Sequence, residues 1–460
     1  MREPTHSSGG SGQAPVSLAS TILSRLADVG LGRIILTAAS RLSSTVISFV
    51  MLWGLTFILT PEYYDLFLYT FALAVGIGFL GTLGQPYVVV KHVGEAAKAN
   101  NAAILKFSVI LLLLGQVLLF SGAAIAAAIP GEKEKVYEMI PAIAVFGAIY
   151  GLSEFMAAYF RSQMRMGMAL IPRENIWRVA ICVTILVIYN SAWRPTAGTF
   201  LLVTTGLLVI VVAYQLIAFF RSEGYRWLSA KLPARRDLLG LSRESVYFFL
   251  VQVAIAGENY ITTFLVGVLV GIDAAAAYYI AYRISLLLIL PGMVSETIGG
   301  PMIAARLKQN DRHSAQQLLG FFSLFSFSAA LCGFVFIWFF GSAVLSLFGE
   351  GPPAMFTVLI ILCVGSLTTA FIGLSQQFLL LVGGERPYLQ ARLTLFAVYV
   401  GLIFVMGTAM GVVGIALARL MFMAATNGFQ IVWCARMRRY DLTAASLLRP
   451  GRARADGATS

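Results

Sequence analysis

Apolar runs of transmembrane length recur along this chain from residue 34 to residue 434, and no water-soluble fold accommodates such a series. A helix needs about 20 predominantly apolar residues to cross the hydrocarbon core of a bilayer. Runs of that kind lie near 34–59, 67–90, 104–129, 137–160, 170–189, 197–220, 244–270, 275–300, 317–347, 356–382, 389–410 and 412–434. In lipid only helices and closed barrels satisfy every backbone group, and continuous runs this long are helices. The expectation is an all-α integral membrane protein of about twelve spans. Composition agrees: 59% of residues are hydrophobic and 12% charged, against about 45–50% and about 25% in soluble domains.

The loops test the count. The odd-numbered joints are short and carry three basic residues, Lys133, Lys135 and Arg194. The even-numbered joints carry the rest, among them Lys91, Lys98, Lys106, Arg161, Arg165, Arg173, Arg306, Lys308, Arg312 and Arg386, together with the long stretch from Arg221 to Arg243. Arg436, Arg438, Arg439, Arg449, Arg452 and Arg454 follow the last run. Basic loops stay on the cytoplasmic side, so both termini are expected in the cytoplasm. The formal charge of +12 is thereby explained by orientation, not by nucleic-acid binding.

The expected organisation is a disordered tail (1–30), a six-helix bundle (31–220), a linker (221–243), a second six-helix bundle (244–436) and a basic tail (437–460). No cleavable signal peptide is evident at the start. Cys182, Cys332, Cys363 and Cys434 lie within apolar runs, and His6, His92 and His313 are isolated in polar segments. Neither pattern suggests a disulfide framework or a metal site, so no cofactor is expected. A faint repeat relates Glu62-Tyr63-Tyr64 in the second span to Ala277-Tyr278-Tyr279 in the eighth. Parallel repeats place a substrate site between the halves.

Polar residues on apolar helices supply the candidate site. Thr37, Arg41, Ser44, Thr45 and Ser48 share one face of the first span. An arginine at the centre of a membrane helix costs at least about 2.5–3.5 kcal/mol, so it faces water or a partner unless it snorkels to the headgroups. Arg283 sits deeper, in the eighth span, where snorkelling is strained. Ser245, Gln252, Asn259 and Thr263 form a polar face on the seventh span, flanked by Glu258 and Thr262. Desolvation disfavours an ionised carboxylate. Two compatible readings stand for Glu258: proton or sodium coupling, and a neutralising pair with Arg283. Ser366, Thr369, Gly373 and Gln376 mark a stripe on the tenth span that is either cavity lining or helix-packing glue. Arg178 and Arg419 read as snorkelling side chains, and Glu154 with Arg161 as an interfacial pair. Tyr278, Tyr279, Tyr282 and Tyr388 fit sugar stacking and a membrane-interface belt equally.

Gly76-Ile77-Gly78-Phe79-Leu80-Gly81 matches the dinucleotide fingerprint but lies inside a hydrophobic span without the required strand. Close helix packing explains it, as it does the G-x-x-x-G pairs 147/151, 267/271 and 407/411. There is no P-loop, catalytic triad or paired-carboxylate arrangement, so no enzyme is expected. A membrane-embedded polysaccharide polymerase or ligase is the enzymatic alternative, and the short outer loops argue against it.

Three stretches resemble the polysaccharide and O-antigen flippases (Wzx-like) of the multidrug/oligosaccharidyl-lipid/polysaccharide exporter superfamily. They are Ser40-Arg41-Leu42 through Leu59-Thr60-Pro61-Glu62-Tyr63-Tyr64 to Gly81-Thr82-Leu83-Gly84, Ala277-Tyr278-Tyr279-Ile280-Ala281-Tyr282-Arg283 running to Gly300-Pro301-Met302, and Leu381-Val382-Gly383-Gly384-Glu385-Arg386-Pro387 with Gly411-Val412-Val413-Gly414. Asp65 and Ala277 depart from the glycine common in the family. The resemblance implies a MATE-like fold, alternating access, and translocation of an undecaprenyl-diphosphate-linked oligosaccharide across the bacterial cytoplasmic membrane. It also implies that Arg41 and Arg283 engage the diphosphate, and that a polymerase and chain-length machinery are partners. A cation-coupled drug exporter of the same superfamily is the rival expectation; twelve spans instead of fourteen argue against a lipid II flippase.

Overall fold

The computed structural model describes residues 31–93, 101–128, 135–349, 353–438 and 440–448. Lys98, Lys133 and the arginines beyond 448 lie outside the described residues, as does the 1–30 tail; of Thr37, Arg438 and Arg439 no side chain is described. Among the described residues the regular structure is entirely helical.

Among the described residues, eight helices are long and apolar enough to cross a membrane, including Pro61–Leu80, Asn101–Ala128, Ile140–Ser162, Ala197–Glu223 and Arg312–Ser346. Two shorter apolar helices, Ala39–Leu55 and Met355–Phe371, supply the first and tenth spans. The fifth is built from Met166–Leu170, a π-helical segment Ile171–Ile176, and Trp177–Tyr189. The helix Glu385–Trp433 is two spans, folded back at Gly411 with φ 61° and ψ −142°. Only glycine reaches that conformation without strain, so the tight turn expected between the last two runs is present. Twelve spans result among the described residues. Their outward faces carry Val46, Leu186, Ile210, Phe339 and Val405 exposed; in a membrane these meet lipid, not water.

Local chemistry sets the helix starts. Thr60 caps Pro61–Leu80, accepting from the Tyr63 N–H, with Pro61 at the first position. Thr196 does the same for Ala197–Glu223, and Asp311 accepts from the Ser314 N–H at 3.0 Å. The hydrogen bonds from Ser314 hold the Asp311 carboxyl below the usual carboxylate range.

Four sequence expectations need correction. The second run is not one helix: it breaks at Gly81–Gly84 and resumes as Gln85–His92. The seventh span begins at Arg235, not near 244, so much of the expected linker is helix. The chain after 437 does not simply trail away: Tyr440, Leu442 and Ala444 are buried. Gln316 Nε2 donates to the Asp441 carbonyl at 2.7 Å, and Ser323 to that of Leu442 at 3.0 Å. Finally, of the three G-x-x-x-G pairs only 147/151 packs as such a pair. Gly271 and Gly411 are positive-φ turn residues.

The second and fourth spans meet through bare backbone. A Cβ on Gly78 would stand 2.3 Å from the Gly147 carbonyl oxygen. Gly78→Ala must therefore separate the two helices, and overpacking of this kind costs about 1–3 kcal/mol. The expected result is a clear fall in the thermal midpoint of the detergent-solubilised protein. Gly122→Ala, where a Cβ would meet nothing within 4 Å, is the control. Equal midpoints for the two variants would show that the approach is not tight.

Spans one to six pack chiefly among themselves, as do seven to twelve, and the second span crosses to the seventh and eighth. One large apolar core joins both halves at the short-loop end, running from Tyr64 and Phe67 to Ala274 and Tyr278. At the basic-loop end the core divides. Phe155, Tyr159 and Phe219 form one cluster in the first half, and Leu318, Phe322 and Phe378 another in the second.

Candidate substrate cavity

Two of the chain's charged clusters sit on π-helical turns, and both turns carry a Glu-Asn dipeptide. Glu174-Asn175 lies in Ile171–Ile176 of the fifth span, Glu258-Asn259 in Gly257–Ile261 of the seventh. A π turn inserts one residue into the α-helical ladder, swings side chains to a new azimuth, and recurs at functional sites.

In the first half, Glu154 accepts from Arg161 Nη2 at 3.0 Å and from Arg173 Nη1. Arg173 Nη2 also donates to Glu174 at 2.8 Å, and Arg178 to Glu174 at 2.7 Å. The Arg173 guanidinium stacks on Tyr150 at 5.4 Å. Glu154 and Arg161 do pair, but Glu154 is buried and belongs to a larger network. Arg178 does not snorkel: it holds Glu174 and the Ser44 hydroxyl.

In the second half, Glu258 pairs with Arg392 of the eleventh span, whose Nη2 and Nε lie 2.6 and 3.1 Å from Oε1. The expected pairing of Glu258 with Arg283 is not made. Arg283 donates to the Tyr279 hydroxyl at 2.7 Å, lies over that ring at 4.9 Å, and has no carboxylate partner among the described residues. Arg419 does not snorkel either. It is 4% exposed, stacks on Tyr282 at 4.4 Å, and donates to the Glu258 backbone carbonyl.

The clusters face one another. Tyr87 lies within electrostatic reach of Glu154 and Arg161 on one side and of Arg392 on the other. Tyr260 relates in the same way to Tyr150 across the halves, and to Arg283 and Tyr282 on its own side. Tyr278, Tyr279, Tyr282 and Tyr388 are all buried in the interior, which removes the interface-belt reading. Arg161, Arg173, Arg178, Arg283, Arg392 and Arg419 thus stand against Glu154, Glu174 and Glu258, a surplus of positive charge among phenol rings.

The other sequence candidates divide. Arg41 is exposed on the first span, within reach of Glu296 on the eighth and without a hydrogen bond among the described residues. Ser44 meets Glu174 at 3.1 Å. Thr45 and Ser48 bond only the backbone of their own helix. Gln252 does not line a cavity: it is fully buried, donating to Thr82 at 2.8 Å and accepting from the Gly84 N–H at 2.7 Å. It clamps the break in the second span. Asn259 accepts from the Tyr282 hydroxyl, and Thr263 is buried, its hydroxyl without a partner among the described residues. Thr369 accepts from Asn427 of the twelfth span at 3.2 Å, a helix-packing contact. Gln376 is exposed beyond the break at Gly373.

Arg173 counts as a loop cation in the sequence, and Arg392, near the start of the run 389–410, carries no signal there that sets it apart. The repeated Glu-Asn dipeptide was the available signal.

This helical architecture is one that solved membrane transporters share. The chain superimposes on an inward-facing multidrug resistance MATE family transporter of the MOP superfamily with TM-score 0.65 and 17% identity, covering 90% of this chain and 99% of that one. An outward-facing structure of such a transporter gives 0.56 at 17% identity, covering 88% and 95%. A MOP superfamily transporter from Pyrococcus furiosus, described as having a binding pocket of reversed polarity that suggests a different function, gives 0.57 at 17% identity over the same shares. No curated protein matches the chain in sequence. The family model for polysaccharide biosynthesis proteins matches residues 31–303, more than half of the chain, and the chain belongs to that family.

Proposed function

We propose that this protein is a flippase that carries an undecaprenyl-diphosphate-linked oligosaccharide across the bacterial cytoplasmic membrane by alternating access, for O-antigen, capsule or exopolysaccharide assembly. The observation that carries this reading is the surplus of guanidinium groups over carboxylates in a tyrosine-walled centre. A diphosphate is rejected by hydrocarbon and needs fixed cations, and arginine matches phosphate oxygens in pairs. Phenol rings offer apolar faces to sugars. Cationic drugs would be repelled by the same charge, which argues against the drug-exporter alternative.

In this reading Arg283, the central arginine without a carboxylate, is the principal diphosphate ligand, Arg41 meets the headgroup at the seam of the first and eighth spans, and Glu258 couples transport to an ion. The six-helix bundles (31–220 and 244–436) rock about the shared core at the short-loop end, with both termini cytoplasmic. The protein performs no covalent chemistry. A polymerase and its chain-length partner receive the product.

The test is a deletion strain, scored for intracellular undecaprenyl-linked oligosaccharide, surface polysaccharide and drug sensitivity. Accumulated precursor with lost surface polymer, restored by the intact gene, is expected. Normal polysaccharide with new drug sensitivity would move the function to drug export.

A further inference from the structure

The Glu258 carboxylate uses one of its two oxygens. Oε1 receives both Arg392 hydrogen bonds, and Oε2 makes none among the described residues. The two side chains are 15% and 16% exposed, so the pair lies at a wall that solvent touches. Arg419 plays a different part. A π turn displaces carbonyls from the α-helical ladder, and Arg419 donates to the Glu258 carbonyl on that turn. Nearly inaccessible among Tyr278, Tyr282 and Tyr399, it positions the turn. Arg392 is the reachable cation, its Nη1 donating to the Tyr388 hydroxyl at 2.7 Å. It presents Nη2 and Nε, the edge of the guanidinium that matches two oxygens of a carboxylate or a phosphate. Glu258 fills that edge with a single oxygen.

We propose that Arg392 is a second anion-binding residue of the cavity, that Glu258 occupies it as an internal stand-in, and that an arriving diphosphate diester displaces Glu258, which takes up a proton as it leaves. This rests on the flippase reading above. The charges balance. The phosphate takes over Arg392, and the released carboxylate, left in a poorly solvated wall without its cation, is neutralised by a proton from water. No bond in the diphosphate breaks. The groups facing Glu258 are Arg392, Tyr388 and Tyr399 of the eleventh span, Arg419 of the twelfth and Tyr282 of the eighth, with Glu296 beyond Tyr388. Arginine and tyrosine do not ordinarily change charge near neutral pH, which leaves Glu258 as the group in direct contact that exchanges the proton.

Purified full-length protein in detergent is titrated calorimetrically with a short-chain polyprenyl-diphosphate-linked sugar, a diester of constant charge near neutrality. Two buffers of different ionisation enthalpy are used from mildly acidic to mildly basic pH. The wild type is expected to take up about one proton per ligand and to bind up to about tenfold tighter for each unit of falling pH, the limit for one linked proton. Glu258→Gln removes the competitor: binding becomes pH-independent, tighter at the basic end, and free of proton uptake. Arg392→Ala alone would strand Glu258, so Arg392→Ala is made on the Glu258→Gln background and is expected to bind at least about tenfold more weakly than Glu258→Gln. Unchanged pH dependence in Glu258→Gln, or equal affinity in the double variant, overturns the proposal. Wild-type binding without proton uptake also overturns it but leaves the flippase reading standing. A wild type that binds no diphosphate ligand brings down both.

Discussion

Arg283→Ala abolishes surface polysaccharide and leaves the amount of protein in the membrane unchanged: that is the expected result for the central arginine. The structure explains why the two effects separate. Arg283 bonds a tyrosine hydroxyl and stacks on its ring, with no carboxylate among the described residues. Its removal therefore leaves a neutral hydroxyl, not an orphaned charge, and the fold tolerates the change. Binding loses a charge-assisted hydrogen bond of about 1.5–3 kcal/mol, roughly a ten- to hundredfold loss in affinity for the diphosphate. Arg283→Lys keeps the charge but loses the planar fork, so it should restore transport only partly. The measurement is complementation of the deletion strain, with precursor accumulation and immunoblotting side by side. Normal polymer from Arg283→Ala would remove Arg283 from the site.

Glu154→Ala is expected to do the opposite, costing stability before function. Glu154 is 8% exposed and holds both Arg161 and Arg173; Arg173 is itself 9% exposed. Deleting one partner of a buried ion pair costs about 3–5 kcal/mol, because the other charge is left without compensation. Glu174 cannot take over fully, since Arg178 already shares it. A large fall in the thermal midpoint in detergent and a reduced level in the membrane should follow. Replacing Arg173 by methionine on the same background removes the stranded charge and should recover much of the midpoint. A single variant as stable as the wild type would mean that water reaches the network and screens it.

The contrast between these arginines was not readable from the sequence. Arg283, Arg173, Arg392 and Arg419 are each one basic residue in or beside an apolar run. Whether such a residue snorkels, pairs or lines a cavity depends on what the neighbouring helices present to it. Glu258 shows this most clearly. Its position mid-span was evident, but Arg283 on the adjacent span was the obvious partner, and the π turn at Gly257–Ile261 directs the carboxylate to the eleventh span instead. Gln252 likewise read as cavity lining because its helix face is polar. The break at Gly81–Gly84 exposes backbone and side-chain groups that this amide satisfies.

The sequence by itself determined the all-helical membrane fold, the number of spans and the alternation of their loops. Those follow from the cost of placing backbone and charge in hydrocarbon, and that cost is paid residue by residue along the chain. Only the tertiary structure decided which charges meet, which tyrosines turn inward, and where helices break or shift into π turns, because those outcomes depend on contacts between segments more than a hundred residues apart.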